Sequence, residues 1–103
     1  MEIIHKNGEK NGVFIAQEDG QKIGHISYEW IEPKTLGLMH TIVKPEYRRH
    51  GIAKALLDAT VNYARENGFL IRAFCSYAVR EFENPDYDDV NYFKNPKTTF
   101  KST

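Results

Sequence analysis

The sequence predicts an α/β (α+β) domain with a mixed central sheet of about five strands, one long helical crossover and one short C-terminal helix. Three observations support this fold class. Short β-prone runs separated by Asn-Gly and Asp-Gly turns fill the first third of the chain. A run with helical periodicity follows a buried apolar run, and a further apolar run follows the helix. Strands that flank a helix in this order lie parallel through a right-handed crossover.

Four strand candidates precede the helix, each bounded by turn residues: 2–6, 13–17, 22–31 and 36–43. Residues 7–12 join the first two and contain two Asn-Gly pairs, so they are too short and too glycine-rich for a helix. The apolar parity changes within the third candidate, which predicts a β-bulge near Gly24 or His25. The fourth is apolar almost throughout and is therefore expected to be a central strand covered on both faces.

A helix is predicted from 51 to 66, where apolar residues recur at spacings of four, three and four: Ile52, Leu56, Ala59 and Tyr63. Asn67-Gly68 is a helix stop. The run 69–75 is a fifth strand, parallel to 36–43, and 76–82 is a short second helix. Asn84-Pro85 ends that helix and favours one further turn.

The chain has 103 residues, which suits a single domain over 1–93 followed by a flexible tail at 94–103. Its only cysteine, Cys75, excludes an internal disulfide and fits a reducing compartment. The sequence has no secretory pattern and no run long enough to span a membrane. We therefore expect a cytoplasmic protein that uses no membrane. Nothing in the sequence fixes the oligomeric state, and a monomer is expected.

The charge balance and the spacing of the histidines argue against two classes of ligand, nucleic acids and metal ions. Lysine plus arginine and aspartate plus glutamate each number 14, and this balance does not favour a general nucleic-acid binder. The histidines His5, His25 and His50 lack the spacing of metal ligands, so no metal is expected.

The basic side chains Lys44, Arg48, Arg49 and His50 directly precede Gly51, which opens the long helix. A helix start beyond the carboxyl end of a strand is where open α/β sheets bind ligands, and its free N–H groups favour phosphate. Gly51 lets the backbone approach such a ligand closely. A solvated basic loop is the alternative. Neither the nucleotide P-loop nor the dinucleotide glycine pattern is present.

Arg48-x-x-Gly51-x-Ala53, preceded by Val-x-Pro-Glu-Tyr at 43–47, resembles the acetyl-CoA-binding motif of the GNAT N-acetyltransferase superfamily. The resemblance covers about residues 13–83. The short length and the segment CSYAVREFENPDYDD at 75–89 resemble the small single-domain GNAT-like proteins of bacteria and eukaryotes. The resemblance implies a GNAT-like fold and transfer of acetyl from acetyl-CoA to a primary amine, including an amine on a peptide or protein.

The resemblance also implies where coenzyme A (CoA) binds. The backbone of 48–53 would hold its diphosphate, and the strand 40–43 would pair with its pantetheine arm. The implied cofactor-binding residues are Ile42, Val43, Arg48, Arg49, His50, Gly51, Ile52, Ala53, Lys54 and Tyr77.

Two departures from the superfamily concern the acceptor and the chemistry. Larger members carry two helices between the first two strands, whereas six residues join them here, so the acceptor side should be open and suit a flexible peptide or protein. Phe82 occupies the position of the usual tyrosine acid and cannot donate a proton. Cys75 occupies the position of a usual asparagine and matches the proposed reactive cysteine of the small GNAT-like proteins.

Two catalytic routes remain open at this point. In direct transfer the amine attacks the thioester, and His40 is the candidate base, since histidine changes charge near neutral pH; packing within an apolar strand is its other role. In covalent transfer Cys75 takes the acetyl group first, and a buried hydrophobe is its alternative. Tyr77 is a candidate proton donor or a packing residue. A non-catalytic module that binds CoA or acyl-CoA is the alternative to an enzyme.

Overall fold

The computed structural model describes residues 1–95. Its elements are β1 (Glu2–Asn7), β2 (Asn11–Glu18), β3 (Gln21–Glu32), β4 (Thr35–Val43), α1 (Ile52–Asn67), β5 (Leu70–Ala73) and α2 (Ser76–Glu81), with single 3-10 turns at Pro45–Tyr47 and Pro85–Tyr87. The predicted fold class is confirmed. Residues 96–103, most of the predicted tail, lie outside the described residues, and the single domain over 1–93 stays a prediction.

The five strands form one sheet in the order β1-β2-β3-β4-β5. The first three pairings are antiparallel, and β5 is parallel to β4, as the crossover helix α1 predicts. Beyond β5, the segment 90–92 runs along the outer edge. The Ile71 N–H donates to the Val90 carbonyl at 2.7 Å, and the Tyr92 N–H donates to the Ile71 carbonyl at 2.8 Å. This segment satisfies backbone groups that a short edge strand would otherwise expose.

Both helices lie on one face of the sheet, which we call the helix-covered face. On this face, alternate strand residues pack against α1 and form the core with it. The strands contribute Phe14, Ala16, Ile26, Tyr28, Leu36, Leu38 and Ile71, and α1 contributes Leu56, Leu57 and Val61. The helix α2 joins this layer through Phe82, whose ring stacks on Tyr87. Tyr87 in turn donates a 2.7 Å hydrogen bond to Asp58 of α1.

The other side of the sheet, which we call the open face, carries no helix among residues 1–95. The expectation that β4 is covered on both faces is therefore correct only for its first half. Thr35–Leu38 are buried, but His40 is exposed and Ile42 is 54% exposed. The physical reason is the link between β1 and β2, which is too short to supply a covering helix.

Bulges set which side chain points to which face. The register between β2 and β3 shifts at Ile23, next to the predicted position. A second shift adds Met39 to β4, opposite the step from Ser27 to Tyr28, and the sequence does not signal it. Because an extra residue reverses the alternation, Thr41 rather than His40 shares the helix-covered face with Leu38.

The side chain of Tyr28 is fully buried and anchors the β1 end of the sheet. Its hydroxyl donates to Asn7 Oδ1 at 3.0 Å and lies 2.6 Å from His5 Nε2. The His5 ring stacks on Phe14 with centroids 4.0 Å apart. Gly12 lies directly against the Tyr28 hydroxyl, without room for a Cβ atom.

We expect the protein to lose stability as the pH falls below about 6.5, the ordinary value for histidine. Burial lowers the pKa of His5, and burial together with Lys22 and His40 lowers the pKa of His25. The unfolded chain therefore binds more protons than the folded one in this range, so the free energy of unfolding falls until the folded pKa values are passed. Urea unfolding between pH 7.5 and 5.5 measures the slope. His5→Gln with His25→Gln should flatten it, whereas the exposed His50→Gln should not; an unchanged slope in the double variant would contradict the assignment.

Candidate functional site

The connection from β4 to α1 builds an anion-binding loop. Arg49 and Gly51 both have positive φ angles, 67° and 76°, which turn the chain sharply before Ile52 starts α1. The first helical hydrogen bond joins the Ala55 N–H to the Gly51 carbonyl at 3.0 Å, and no side chain caps the helix. The N–H groups of the first turn are therefore free to bind an external acceptor, and the helix dipole favours an anion there.

This loop forms one wall of a cleft of about 600 Å³. The end of β4 supplies the floor, and Tyr77 and Arg80 of α2 supply the opposite wall. The lining residues are Thr41, Ile42, Val43, Tyr47, Arg48, Arg49, Gly51, Ile52, Ala53, Lys54, Tyr77 and Arg80. The cleft thus brings together every predicted cofactor-binding residue except His50, which is exposed between the two positive-φ residues and does not line it.

The floor of the cleft includes an unpaired strand edge. Pairing between β4 and β5 ends at Leu38 and Ala73. The N–H groups of Phe74 and Cys75 both donate to the Leu38 carbonyl, at 2.9 and 3.1 Å, and the two chains then separate. From His40 to Val43, the edge of β4 away from β3 has no strand partner within residues 1–95. An extended ligand can therefore form main-chain hydrogen bonds with this edge.

Charge in the cleft is positive. The Arg48 guanidinium donates to the Val43 carbonyl at 3.3 Å, and Lys54 pairs with Asp58 at 2.9 Å. Hydrogen bonds to Tyr87 and Asp58 raise the pKa of Lys54, so it stays charged at neutral pH. Among the described residues, the side chain of Arg49 has no ion-pair partner.

Cys75 immediately precedes α2 and is half-buried; it does not itself line the cleft but contacts a residue that does. Its Sγ atom is 3.3 Å from the Thr41 hydroxyl, and both Thr41 and Tyr77 line the cleft. Burial, with a smaller contribution from Glu81, raises the pKa of Tyr77 to about 12, so its hydroxyl keeps its proton at neutral pH. The thiol therefore lies beside a hydroxyl, and Tyr77, two residues further along the chain, adds a protonated phenol to the cleft lining.

His40 lies elsewhere. It is exposed on the open face, beside His25 across the β3–β4 pairing, whereas Cys75 lies on the helix-covered side. His40 lies on β4, the strand that supplies the floor of the cleft, but the bulge at Met39 turns its side chain away from the cleft. The structure does not bring His40 and Cys75 together.

Phe82 is buried and packs against Tyr87, so no proton donor stands at this position. The Tyr87 hydroxyl is already bonded to Asp58. Tyr77 is thus the phenol on the α2 wall of the cleft.

Three lining residues are missing from the sequence prediction: Thr41, Tyr47 and Arg80. A signal for Arg80 exists, because it follows Tyr77 by three residues and so shares its helix face. Thr41 is hidden by the unpredicted bulge. Among residues 1–95, no three histidine, cysteine or acidic side chains are grouped to hold a metal, and no helix is long and apolar enough to span a membrane.

Comparison with known proteins gives a family-model match over residues 13–90, described as GCN5-related N-acetyl-transferase. An uncharacterised N-acetyltransferase of Archaeoglobus fulgidus is 34% identical in an alignment 64 residues long, which covers 56% of this chain and 44% of that protein. The match thus spans less than half of the length of this curated relative.

Solved structures agree on the fold. The solution structure of a GCN5-like protein from Staphylococcus aureus has a TM-score of 0.66 and 32% identity, over 85% of this chain and 86% of that one. The crystal structure of a PaiA N-acetyltransferase from Thermoplasma acidophilum, in complex with coenzyme A, has a TM-score of 0.61 and 24% identity, over 72% of this chain and 49% of that one. The second likeness supports the fold alone.

Proposed function

The chain belongs to the GCN5-related N-acetyltransferase family, and from this premise we propose that it transfers the acetyl group of acetyl-CoA to a primary amine. The observation that carries the proposal is the cleft between α2 and the segment 48–54, which contains the end of the β4–α1 connection and the first residues of α1 and is called the 48–54 loop below. It combines the free N–H groups of a helix start, several cationic side chains and an unpaired strand edge in one groove.

Each part of the cleft suits one part of acetyl-CoA. The first turn of α1 and the basic loop bind the diphosphate, because aligned N–H groups and arginines stabilise phosphate charge. The β4 edge at 40–43 pairs with the amide groups of the pantetheine arm. This arm then leads the thioester inward, toward Thr41 and Cys75.

Cys75, whose thiol contacts the cleft-lining Thr41, receives the acetyl group first. Its thiolate attacks the acetyl carbonyl, the carbon–sulfur bond to CoA breaks, and the departing CoA thiolate takes up the proton that Cys75 released. An uncharged acceptor amine then attacks the Cys75 thioester. The carbon–sulfur bond to Cys75 breaks, and the proton that the amine nitrogen loses is passed through solvent to the departing Cys75 thiolate, which restores the thiol. Exchange between two thioesters is nearly isoenergetic, so the benefit of the first step is placement.

The acceptor enters from the open face. Within residues 1–95 this face has no helical wall to enclose a small molecule, whereas a flexible peptide or protein segment can lie along it. His40 is exposed on this face but points away from the cleft and from Cys75, so we do not assign it a part in the attack on the Cys75 thioester. We therefore propose a peptide or protein amine as the acceptor.

One observation favours a second candidate, a module that binds CoA without efficient catalysis. Phe82 is buried where larger relatives carry a proton donor, so the leaving thiolate has no acid at that position. A screen separates the two candidates: acetyl-CoA is incubated with a lysine-containing peptide library, and acetylated peptides and free CoA are measured. Product formation supports the enzyme. CoA binding without product supports the module, and absence of CoA binding overturns both.

We expect Gly51→Ala to weaken CoA binding by about tenfold, because an L-residue resists the left-handed conformation that aims the loop N–H groups. Gly20→Ala is a matched control. Gly20 has a φ of 79° with open space around its Cβ position, as Gly51 has, but lies in the distant β2–β3 turn. Both variants should lose roughly 1 kcal/mol of stability, and calorimetry should show weaker CoA binding for Gly51→Ala only. Equal CoA affinities in the two variants would argue against the loop as the phosphate site.

A further inference from the structure

Arg80 faces the proposed CoA cleft from α2, across from the 48–54 loop. It follows Tyr77 by one helical turn, and both side chains line the α2 wall. The guanidinium makes no hydrogen bond or ion pair within residues 1–95. Arg48 and Lys54, by contrast, already have partners at the Val43 carbonyl and Asp58. Arg80 and Arg49 are thus the two unengaged cations, and they stand on opposite walls.

The charge around this cleft is one-sided. Its described lining contains four cationic side chains, Arg48, Arg49, Lys54 and Arg80, and no aspartate or glutamate. The whole chain, in contrast, has equal numbers of basic and acidic residues. Like charges in one groove repel each other, so an anion that lies between the walls relieves that repulsion.

We propose that Arg80 is a second phosphate-binding residue of the CoA site and that it makes α2 the closing wall of the cleft. The inference rests on the proposed function. CoA carries phosphate at two places, the diphosphate and the ribose 3′-phosphate. The first turn of α1 offers N–H groups to one of them, and the guanidinium across the cleft neutralises phosphate charge from the other side.

The α2 wall is short, and a contact with the ligand would add to its few buried residues. It has six residues, no side-chain cap and a single buried residue, Ala78. A phosphate held between Arg80 and the α1 loop adds a tie between the two helices. Since α2 begins directly after Cys75, the same tie reduces the motion of the thiol.

The test is calorimetric titration of the full chain with CoA and with dephospho-CoA, at low and at high salt. The variants are Arg80→Gln, Arg80→Lys and the control Lys34→Gln, which removes an exposed charge at the opposite end of the sheet. We expect Arg80→Gln to bind CoA about tenfold more weakly at low salt, with a smaller salt dependence. Arg80→Lys should recover part of the affinity, and Lys34→Gln should match the wild type.

Dephospho-CoA, which lacks the ribose 3′-phosphate but keeps the diphosphate, shows which phosphate Arg80 contacts. An effect of Arg80→Gln on CoA alone assigns Arg80 to the 3′-phosphate, and an equal effect on both ligands assigns it to the diphosphate; both outcomes support the proposal. If Arg80→Gln binds CoA like the wild type, with the same salt dependence, Arg80 has no such role and the proposal is overturned. If the wild type itself does not bind CoA, the proposed function is overturned, and the role of Arg80 is overturned with it.

Discussion

Incubation with acetyl-CoA in the absence of any acceptor is expected to add the mass of one acetyl group to the wild-type protein and nothing to Cys75→Ala. The reason is the position of the thiol next to the cleft, 3.3 Å from the lining residue Thr41 and two residues before the lining residue Tyr77. Cys75 is the only cysteine of the chain, so an intact mass reports on a single site. Hydroxylamine, which cleaves thioesters, should remove the added group.

The control is calorimetry of both proteins with CoA. Cys75→Ala should keep its CoA affinity within about twofold, because the phosphate-binding part of the cleft is unchanged. A wild type that binds CoA but gains no acetyl group would exclude the covalent intermediate and leave direct attack by the amine. A gain that persists in Cys75→Ala would place the acetylation on another nucleophile.

Gly12→Ala is expected to destabilise the fold by about 2–4 kcal/mol, the largest stability effect we anticipate for a single methyl group. A Cβ atom at this position would overlap the hydroxyl oxygen and Cζ of Tyr28 and lie 2.8 Å from the Lys6 carbonyl. The Tyr28 ring cannot retreat, because it is fully buried and its hydroxyl is held by His5 and Asn7. Burial raises the pKa of this hydroxyl to about 12, so it stays a neutral hydrogen-bonding group.

Urea unfolding at pH 7.5 measures this loss, and Gly20→Ala again provides the comparison. It introduces a methyl group into open space, so it reports backbone conformation alone and should cost roughly 1 kcal/mol. Equal losses in the two variants would show that overlap with Tyr28 is not the cause. A Gly12→Ala protein that keeps wild-type stability would mean that β2 shifts to make room.

The order and type of the elements follow from local signals in the sequence. Gly51 and Gly68 bound α1, and both adopt the left-handed conformation that glycine favours at helix ends. Strand, helix and strand in this order then determine the parallel pairing of β5 with β4. The cleft residues from 48 to 54 are also predictable, because they are contiguous in the chain and form a local sequence pattern.

Residues that meet through strand register are not predictable in this way. The position of Thr41 beside Cys75 depends on the extra residue Met39, and no turn or glycine signal marks that bulge. The burial of β4 depends on what lies above each face, and the sequence of the strand does not contain this information. Arg80 is different, because it follows Tyr77 by three residues and so shares its helix face, which is a signal that the sequence does contain.

The bulge at Met39 also affects how Cys75 withstands oxidation. In a regular strand His40 would follow Leu38 onto the helix-covered face, and its imidazole would stand where the Thr41 hydroxyl meets the thiol. A thiol beside an imidazole ionises readily, and thiolates are the cysteines that peroxide converts to sulfenic acid. With the extra residue, Cys75 has a hydroxyl neighbour instead. A chain with one cysteine has no second thiol with which to form a rescuing disulfide, so the bulge that keeps an imidazole away from Cys75 removes one known promoter of its oxidation.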